Sequence, residues 1–327
     1  MKIAVINESS SVYNLAAHKM LVKFKRENHE VFFSRRADMW SHQCNKAYLS
    51  AIFTWDLLNL CQDANLLKAN GVEVEIGGPA ATALPGYIEQ NTGISPHLGL
   101  DERFEHVPGS KFFATFTSRG CTRACSFCIV QMIEGRKMIE YDHFNIPAGS
   151  NPKVCDNNLI LTSWAHQELV VRELKHVPNL DLNSGFDCRV FAKDPEKYYH
   201  LYHQLLMERW RFAYDSEDQR VPVKTCADFL HEQGVSYNVI SVFCLVGYEN
   251  QSFEKARERL QYLVDIGTSP YPQRWRPIDT TDRVHDPPGW KPGMLELLFQ
   301  YYGIANVWRA CKWENFDPRI HGRGVKV

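Results

Sequence analysis

Gly120 to Lys137 reads GCTRACSFCIVQMIEGRK and places three of the chain's ten cysteines, Cys121, Cys125 and Cys128, within eight residues. The run before it, Lys111 to Thr117 (KFFATFT), is apolar, aromatic and β-branched, the composition of a buried strand, and Ser118-Arg119-Gly120 reads as the turn that ends it. A strand that delivers three thiols on one short loop is a metal site by residue type. A structural zinc site calls for four closed ligands, usually as two paired knuckles. After Cys128 the next histidine or cysteine is His143, beyond the reach of such a knuckle. Three thiolates instead leave one iron of a cubane cluster open to a non-protein ligand.

The spacing C-x3-C-x2-C, with Phe127 just before the last cysteine, resembles the cluster-binding loop of the radical S-adenosylmethionine (radical SAM) superfamily. The resemblance implies a [4Fe-4S] cluster on Cys121, Cys125 and Cys128. It also implies that the amine and carboxylate of S-adenosylmethionine chelate the open iron, with Phe127 packed near the adenine. On residue chemistry alone, buried structural cysteines or a zinc knuckle that borrows a distant ligand remain open.

Bulk composition narrows the class. The 327 residues suffice for one large domain and a smaller one. Lys+Arg 37 against Asp+Glu 38 gives a formal charge of −1, so no chain-wide basic field announces nucleic acid or an anionic membrane. The opening MKIAVINESS lacks the apolar core and cleavage site of a signal peptide. The uncharged run Val235 to Tyr248 is shorter than the about 20 apolar residues that cross a bilayer. A cytoplasmic chain with no membrane partner is expected, its cysteines thiols or cluster ligands rather than disulfides. The seven cysteines outside the loop form no C-x2-C pair and read mostly as small core residues.

Upstream of the loop, Lys2 to Asn7 (KIAVIN) has strand length, and Leu15 to Arg26 has helical spacing with Leu15, Met20, Leu21 and Phe24 near one face. Val31–Phe33 and Tyr48–Trp55 read as strands and Leu57–Ala69 as a helix ended by Gly71. Val72–Ile76 is a strand that runs into Gly77-Gly78-Pro79. Alternating strands and helices with short links predict an α/β fold that begins with a doubly wound, flavodoxin-like parallel sheet. Ligands of such sheets bind beyond the strands' carboxyl ends. The loops there, Glu8–Ser11, Thr54–Asp56 and Gly77–Thr82, make Ser10, Thr54, Gly77 and Gly78 candidate cofactor contacts. Trp55 after IFT and the IGGP loop resemble the cobalamin-binding-like domain that precedes the radical SAM domain in one subgroup. That likeness implies either a cobalamin cofactor or the same fold without it. The cobalt-ligating motif D-x-H-x-x-G is absent, and His18 reads as an ordinary helix residue. Pro85–Gly109 is a connecting region with a turn of helix at Pro85–Gln90, which ends the first domain at residue 108.

Residues 109–280 repeat the strand–helix beat. Strands are expected at Asn158–Thr162, Leu180–Asn183, Trp210–Tyr214, Tyr237–Val246 and Gln273–Ile278. Helices are expected at Ala165–Lys175, Pro195–Glu208, Val223–Gln233 and Phe253–Ile266. With Lys111–Thr117 this makes six units, suited to a partial (β/α)6 radical SAM barrel with its site at the strands' carboxyl ends. The resemblance implies cofactor contacts there from Asp156, Asn157, Asn183, Arg189, Asp215, Ser216 and Gly247. Arg189 would pair with the S-adenosylmethionine carboxylate, because a guanidinium binds carboxylates bidentately. The family's Gly-Gly-Glu at the second strand is missing. Each residue also has a plainer reading: Asp156 and Asn157 as turn caps, Arg189 as a surface ion pair, Asp215 as a helix N-cap.

Residues 281–327 are expected to form a C-terminal helical extension, Met294–Trp313, and a small basic end from His321 to Lys326. By resemblance the chain would cleave S-adenosylmethionine to a 5′-deoxyadenosyl radical, fed by a reductant such as flavodoxin or ferredoxin. It would act on a small-molecule or nucleotide substrate, by methyl transfer if cobalamin binds. Two other classes fit the loop: an iron–sulfur redox sensor without S-adenosylmethionine cleavage, and a zinc-stabilised RNA-binding module.

Overall fold

The structure, a computed structural model, describes residues 1–8 and 12–321; Ser10 and the basic end beyond His321 lie outside the described residues. The fold is α/β with parallel sheets. The chain divides into two compact units, Met1–Asn157 with Pro277–Arg283, and Asn158–Arg276 with the chain from Val284 on.

The first unit opens with β1 (Lys2–Asn7), α1 (Leu15–Arg26), β2 (Glu30–Ser34), β3 (Lys46–Ser50), α2 (Leu57–Ala69) and β4 (Glu73–Gly77). The strands lie in the order β2-β1-β3-β4, every pairing parallel. Side-chain alternation decides which helix covers which face. Ile3, Val5 and Tyr48 pack with Ala17, Met20 and Phe24 of α1. Ala4, Ile6, Ala47 and Leu49 pack with Leu57, Leu60 and Leu67 of α2. Strand order therefore reverses between β1 and β3, and a crevice opens at their carboxyl ends. Asn14, the N-cap of α1, ties the ends of β1 and β3 together there. Its Oδ1 accepts the Ala17 N–H at 3.2 Å, while Nδ2 donates to Asn7 Oδ1 and Ser50 Oγ at 3.1 Å each.

The connecting region carries more structure than its composition advertises: α3 (Pro79–Ala83), α4 (Pro85–Thr92) and α5 (Glu102–Glu105). Pro79 and Pro85 occupy first-turn positions, where a missing N–H costs nothing, so the prolines start helices here rather than break them. The unit continues with β5 (Ala114–Thr115), β6 (Ser118–Arg119), α6 (Val130–Ile133), β7 (Ile139–Glu140) and β8 (Lys153–Val154). β5 pairs parallel with β8, and β6 antiparallel with β7. Of the strand expected at Lys111–Thr117 only Ala114–Thr115 is regular, and Ser118–Arg119, expected as part of the turn after it, is itself a short strand.

The second unit holds α7 (Trp164–Leu174), β9 (Asp181–Leu182), α8 (Cys188–Phe191), α9 (Pro195–Tyr202), β10 (Trp210–Ala213) and α10 (Arg220–Glu232). Then come β11 (Ile240–Val246), α11 (Phe253–Asp265), β12 (Ser269–Arg274), α12 (Met294–Tyr302), α13 (Ala305–Ala310) and α14 (Pro318–His321). β10, β11 and β12 form a parallel sheet in that order. Asn158–Thr162 is not a strand: Leu159–Leu161 is a 3-10 turn, and the strand comes earlier, at β8. Leu159 and Ile160 are buried, and a short apolar run serves burial in either backbone form. β12 also starts earlier than Gln273, because the edge of a sheet tolerates Pro270 and Pro272 on its unpaired side. The long terminal helix is broken at Gly303 into α12 and α13, and α9 stops at Tyr202. Among the described residues no helix is long and apolar enough to cross a membrane.

Candidate functional site

The thiol loop is an excursion closed at its base. Ser118 pairs with Glu140 and Arg119 with Ile139, and everything between them, including Cys121, Cys125, Phe127 and Cys128, projects from that pairing. Gly120 makes the entry possible: its φ is +78°, and a Cβ there would lie 2.1 Å from the Lys137 carbonyl oxygen. The Cys121 N–H donates to the Gly135 carbonyl at 3.4 Å, and the Cys128 N–H to the Cys125 carbonyl at 3.1 Å. Cys121 is buried; Cys125, Phe127 and Cys128 are partly exposed. Among the described residues no three Cys, His, Asp or Glu side chains are gathered as a metal's ligands would be. The donor chemistry, three thiols on one short closed loop, nevertheless suits an iron–sulfur cluster.

A buried charge network ties down the base. Glu134 Oε2 accepts from the Gly120 N–H at 2.8 Å and from Asn157 Nδ2 at 2.6 Å, and its Oε1 accepts from Arg119 at 2.9 Å. Arg119 also grips Glu105 as a fork, Nε at 2.9 Å and Nη2 at 3.0 Å, with its guanidinium 3.3 Å from the Phe116 ring centre. Lys19 Nζ donates to the Glu105 carbonyl at 2.7 Å and lies 3.7 Å from its carboxylate. The four charged side chains are only 7% to 11% exposed, so each charge depends on its partners rather than on water. Burial alone would push the Glu105 carboxyl up, but Arg119 and then Lys19 outweigh it and hold it below the usual range. Burial pulls the Lys19 ammonium down despite Glu105.

Asp156 secures the strand that enters the loop. One carboxylate oxygen accepts the Thr117 N–H at 2.6 Å; the other accepts the Ser118 hydroxyl at 2.8 Å and the Thr117 hydroxyl. Burial pushes its carboxyl above the usual range, and these hydrogen bonds pull it only part of the way back. Asp156 and Asn157 therefore both hold the turn beneath the cysteines.

A cavity of about 310 Å³ opens at the carboxyl ends of β1, β3 and β4. Asn14, Ser50, Gly77 and Gly78 line one side, and Arg119, Ile133 and Glu134, from the ends of the thiol loop, line another. Gly78, at φ +101°, passes so near β3 that a Cβ would sit 2.7 Å from the Ala51 carbonyl oxygen. Gly77 and Gly78 border this cavity, whereas Thr54 is buried at the start of the 3-10 turn Thr54–Asp56.

In the second unit, Arg189, Asp215 and Ser216 come together. Arg189 is bidentate on Asp187, at 3.0 and 3.1 Å, and reaches Asp218 at 2.9 Å. Ser216 Oγ donates to that same Asp218. Burial opposes the Arg189 charge, but Asp187 and Asp218 prevail and hold its pKa above the usual value. The guanidinium is already matched by two carboxylates, as in the ion-pair reading. Asp215 joins β10 to β11: its Oδ1 accepts the Leu245 N–H at 2.8 Å, and burial raises its carboxyl. Gly247, at φ +85°, lies so close to Pro287 that a Cβ would meet the ring at 2.5 Å. Asn183 is exposed on a turn after β9.

Sequence reasoning did not single out Lys19, Glu105, Arg119 or Glu134 as site residues. Glu134 lies in the same Gly120–Lys137 stretch as the cysteines, and an acid close to three thiols in sequence is a usable signal. Nothing near Glu105 in the sequence points to Arg119, because the pairing is tertiary. No protein-family model matches the chain, and no curated protein matches it significantly.

Proposed function

We propose that the chain is a radical SAM enzyme, built on a doubly wound N-terminal sheet and a partial (β/α)6 barrel. One observation carries the reading: three cysteines at C-x3-C-x2-C spacing share one loop whose two ends are tied by a buried charge network. Cys121, Cys125 and Cys128 would hold a [4Fe-4S] cluster, with S-adenosylmethionine on the remaining iron. When bound, the cluster supplies the electron that splits S-adenosylmethionine into methionine and a 5′-deoxyadenosyl radical. The chain's own residues provide position and shelter. Gly120 and Glu134 keep the loop's limbs together, Asp156 fixes the strand that leads in, and Phe127 offers an aromatic face beside the last thiol. A radical of this kind has to be kept from water while it reacts.

Anaerobic reconstitution tests this. Iron is counted and 5′-deoxyadenosine is measured after reduction with S-adenosylmethionine. Four irons per chain, with 5′-deoxyadenosine formed by the native chain and not by Cys125→Ala, is the expected result. About one zinc with little iron would turn the loop into a structural knuckle. A cluster that yields no 5′-deoxyadenosine would favour a redox sensor.

A further inference from the structure

The cavity at the carboxyl ends of β1, β3 and β4 has a definite chemistry of its own. At about 310 Å³ it lies at the small end of ligand sites, roughly the liquid volume of ten waters. Much of its wall is apolar: Tyr13, Leu15, Met20, Ile52, Phe104 and Phe116 contribute. Its charged lining groups are already matched. Lys19 and Arg119 are neutralised by Glu105 and Glu134, and Asp101 is held by Arg103 at 2.7 Å. Among the described lining residues a phosphate or carboxylate would meet no spare cation and would have to break a buried pair, at a cost the new contact does not recover. An ammonium ligand would face the same difficulty with the opposite sign.

We infer that this cavity is a binding site for a small, uncharged, mainly apolar molecule carrying a flat ring. The ring follows from the walls. Tyr13, Phe104 and Phe116 all line the cavity, and aromatic walls pair favourably with a ring in offset or edge-on geometry. On the other side, Gly77 and Gly78 present backbone to the cavity, and a Cβ on Gly78 would run into Ala51 and Ser50. The site does not depend on the cysteines carrying a cluster, so it stands apart from the radical chemistry proposed above.

The test uses two probes with the same ring and different charge, indole and indole-3-carboxylate, titrated into the full chain by calorimetry and ligand-observed NMR. Indole is expected to saturate, with the carboxylate at least tenfold weaker. Two variants fill the cavity from different walls, Ala16→Phe and Ile52→Phe. Whichever keeps the native circular dichroism should lose indole binding at least tenfold. Equal affinity for the two probes overturns the inference, as does millimolar indole without saturation, or unchanged binding in a folded variant. Displacement of indole by hydroxocobalamin would also overturn it, by assigning the cavity to a far larger ligand.

Discussion

Replacing Arg119 by methionine removes the charge at the centre of the network and keeps most of the side chain's length. The structure sets the size of the effect. Glu105 would lose its fork but keep Lys19 at 3.7 Å and the Tyr141 hydroxyl at 3.3 Å; Glu134 would keep the Gly120 N–H and Asn157. Removing one partner of a buried ion pair costs about 3–5 kcal/mol, and the surviving partners place this case at about 3, or roughly a hundredfold in the local opening equilibrium. Because the two units need not unfold together, the measurement should be local: hydrogen exchange of peptides spanning residues 114–141. A pH arm separates charge from packing. In the native chain Glu105 is held below its usual range, so its contribution is present above about pH 4.3 and fades as pH falls through the lower folded value. In Arg119→Met the same carboxyl is left buried with less compensation, its pKa rises, and acidification relieves the variant. The gap in protection should therefore be widest near neutrality and narrow towards pH 4. A gap of less than fivefold, or one that does not change with pH, would show that the network does not secure the loop.

Gly120→Ala should destabilise the thiol loop and lower its iron loading, because the new methyl meets the Lys137 backbone at 2.1 Å; Gly135→Ala, at φ +79° with open space around it, should cost only about 1 kcal/mol. Iron per chain and thermal midpoint of the two variants, compared side by side, check this. Burial and then the neighbouring Asp63 push the Glu8 carboxyl up to about 9, against a smaller pull from Arg36. The folded chain thus holds a proton there that the unfolded chain has released, and stability should fall as pH rises from about 4.5 towards 9. Glu8→Gln should flatten that fall; a melting profile from pH 5 to 9 that keeps the wild-type slope would remove Glu8 as its source.

Periodicity made the elements of the first sheet legible. β1, α1 and α2 lie where the apolar pattern places them: β1 is an apolar run buried on both faces, α1 has helical apolar spacing after the Asn14 cap, and Gly71 follows α2. The clustering of Cys121, Cys125 and Cys128 is likewise a property of the sequence, since eight residues cannot stray far from one another. What sequence could not deliver were features that depend on distant partners. The two-residue strands β5 and β8 exist because each is the other's hydrogen-bonding partner, and Lys153-Val154 has no pattern of its own. The run Asn158–Thr162 became a turn because burial asks for apolar side chains and is indifferent to backbone form. Arg119 meets Glu105 and Glu134, 14 and 15 residues away, and Thr117 and Ser118 meet Asp156, 39 and 38 residues away. A charge in sequence reads as solvated surface, and only the fold that strips its water away reveals which opposite charge it needs. The sequence alone thus determined the thiol loop and the strand–helix alternation around it. The tertiary structure decided what holds that loop in place and opened a neutral cavity at its base, because buried electrostatics are settled by neighbours in space.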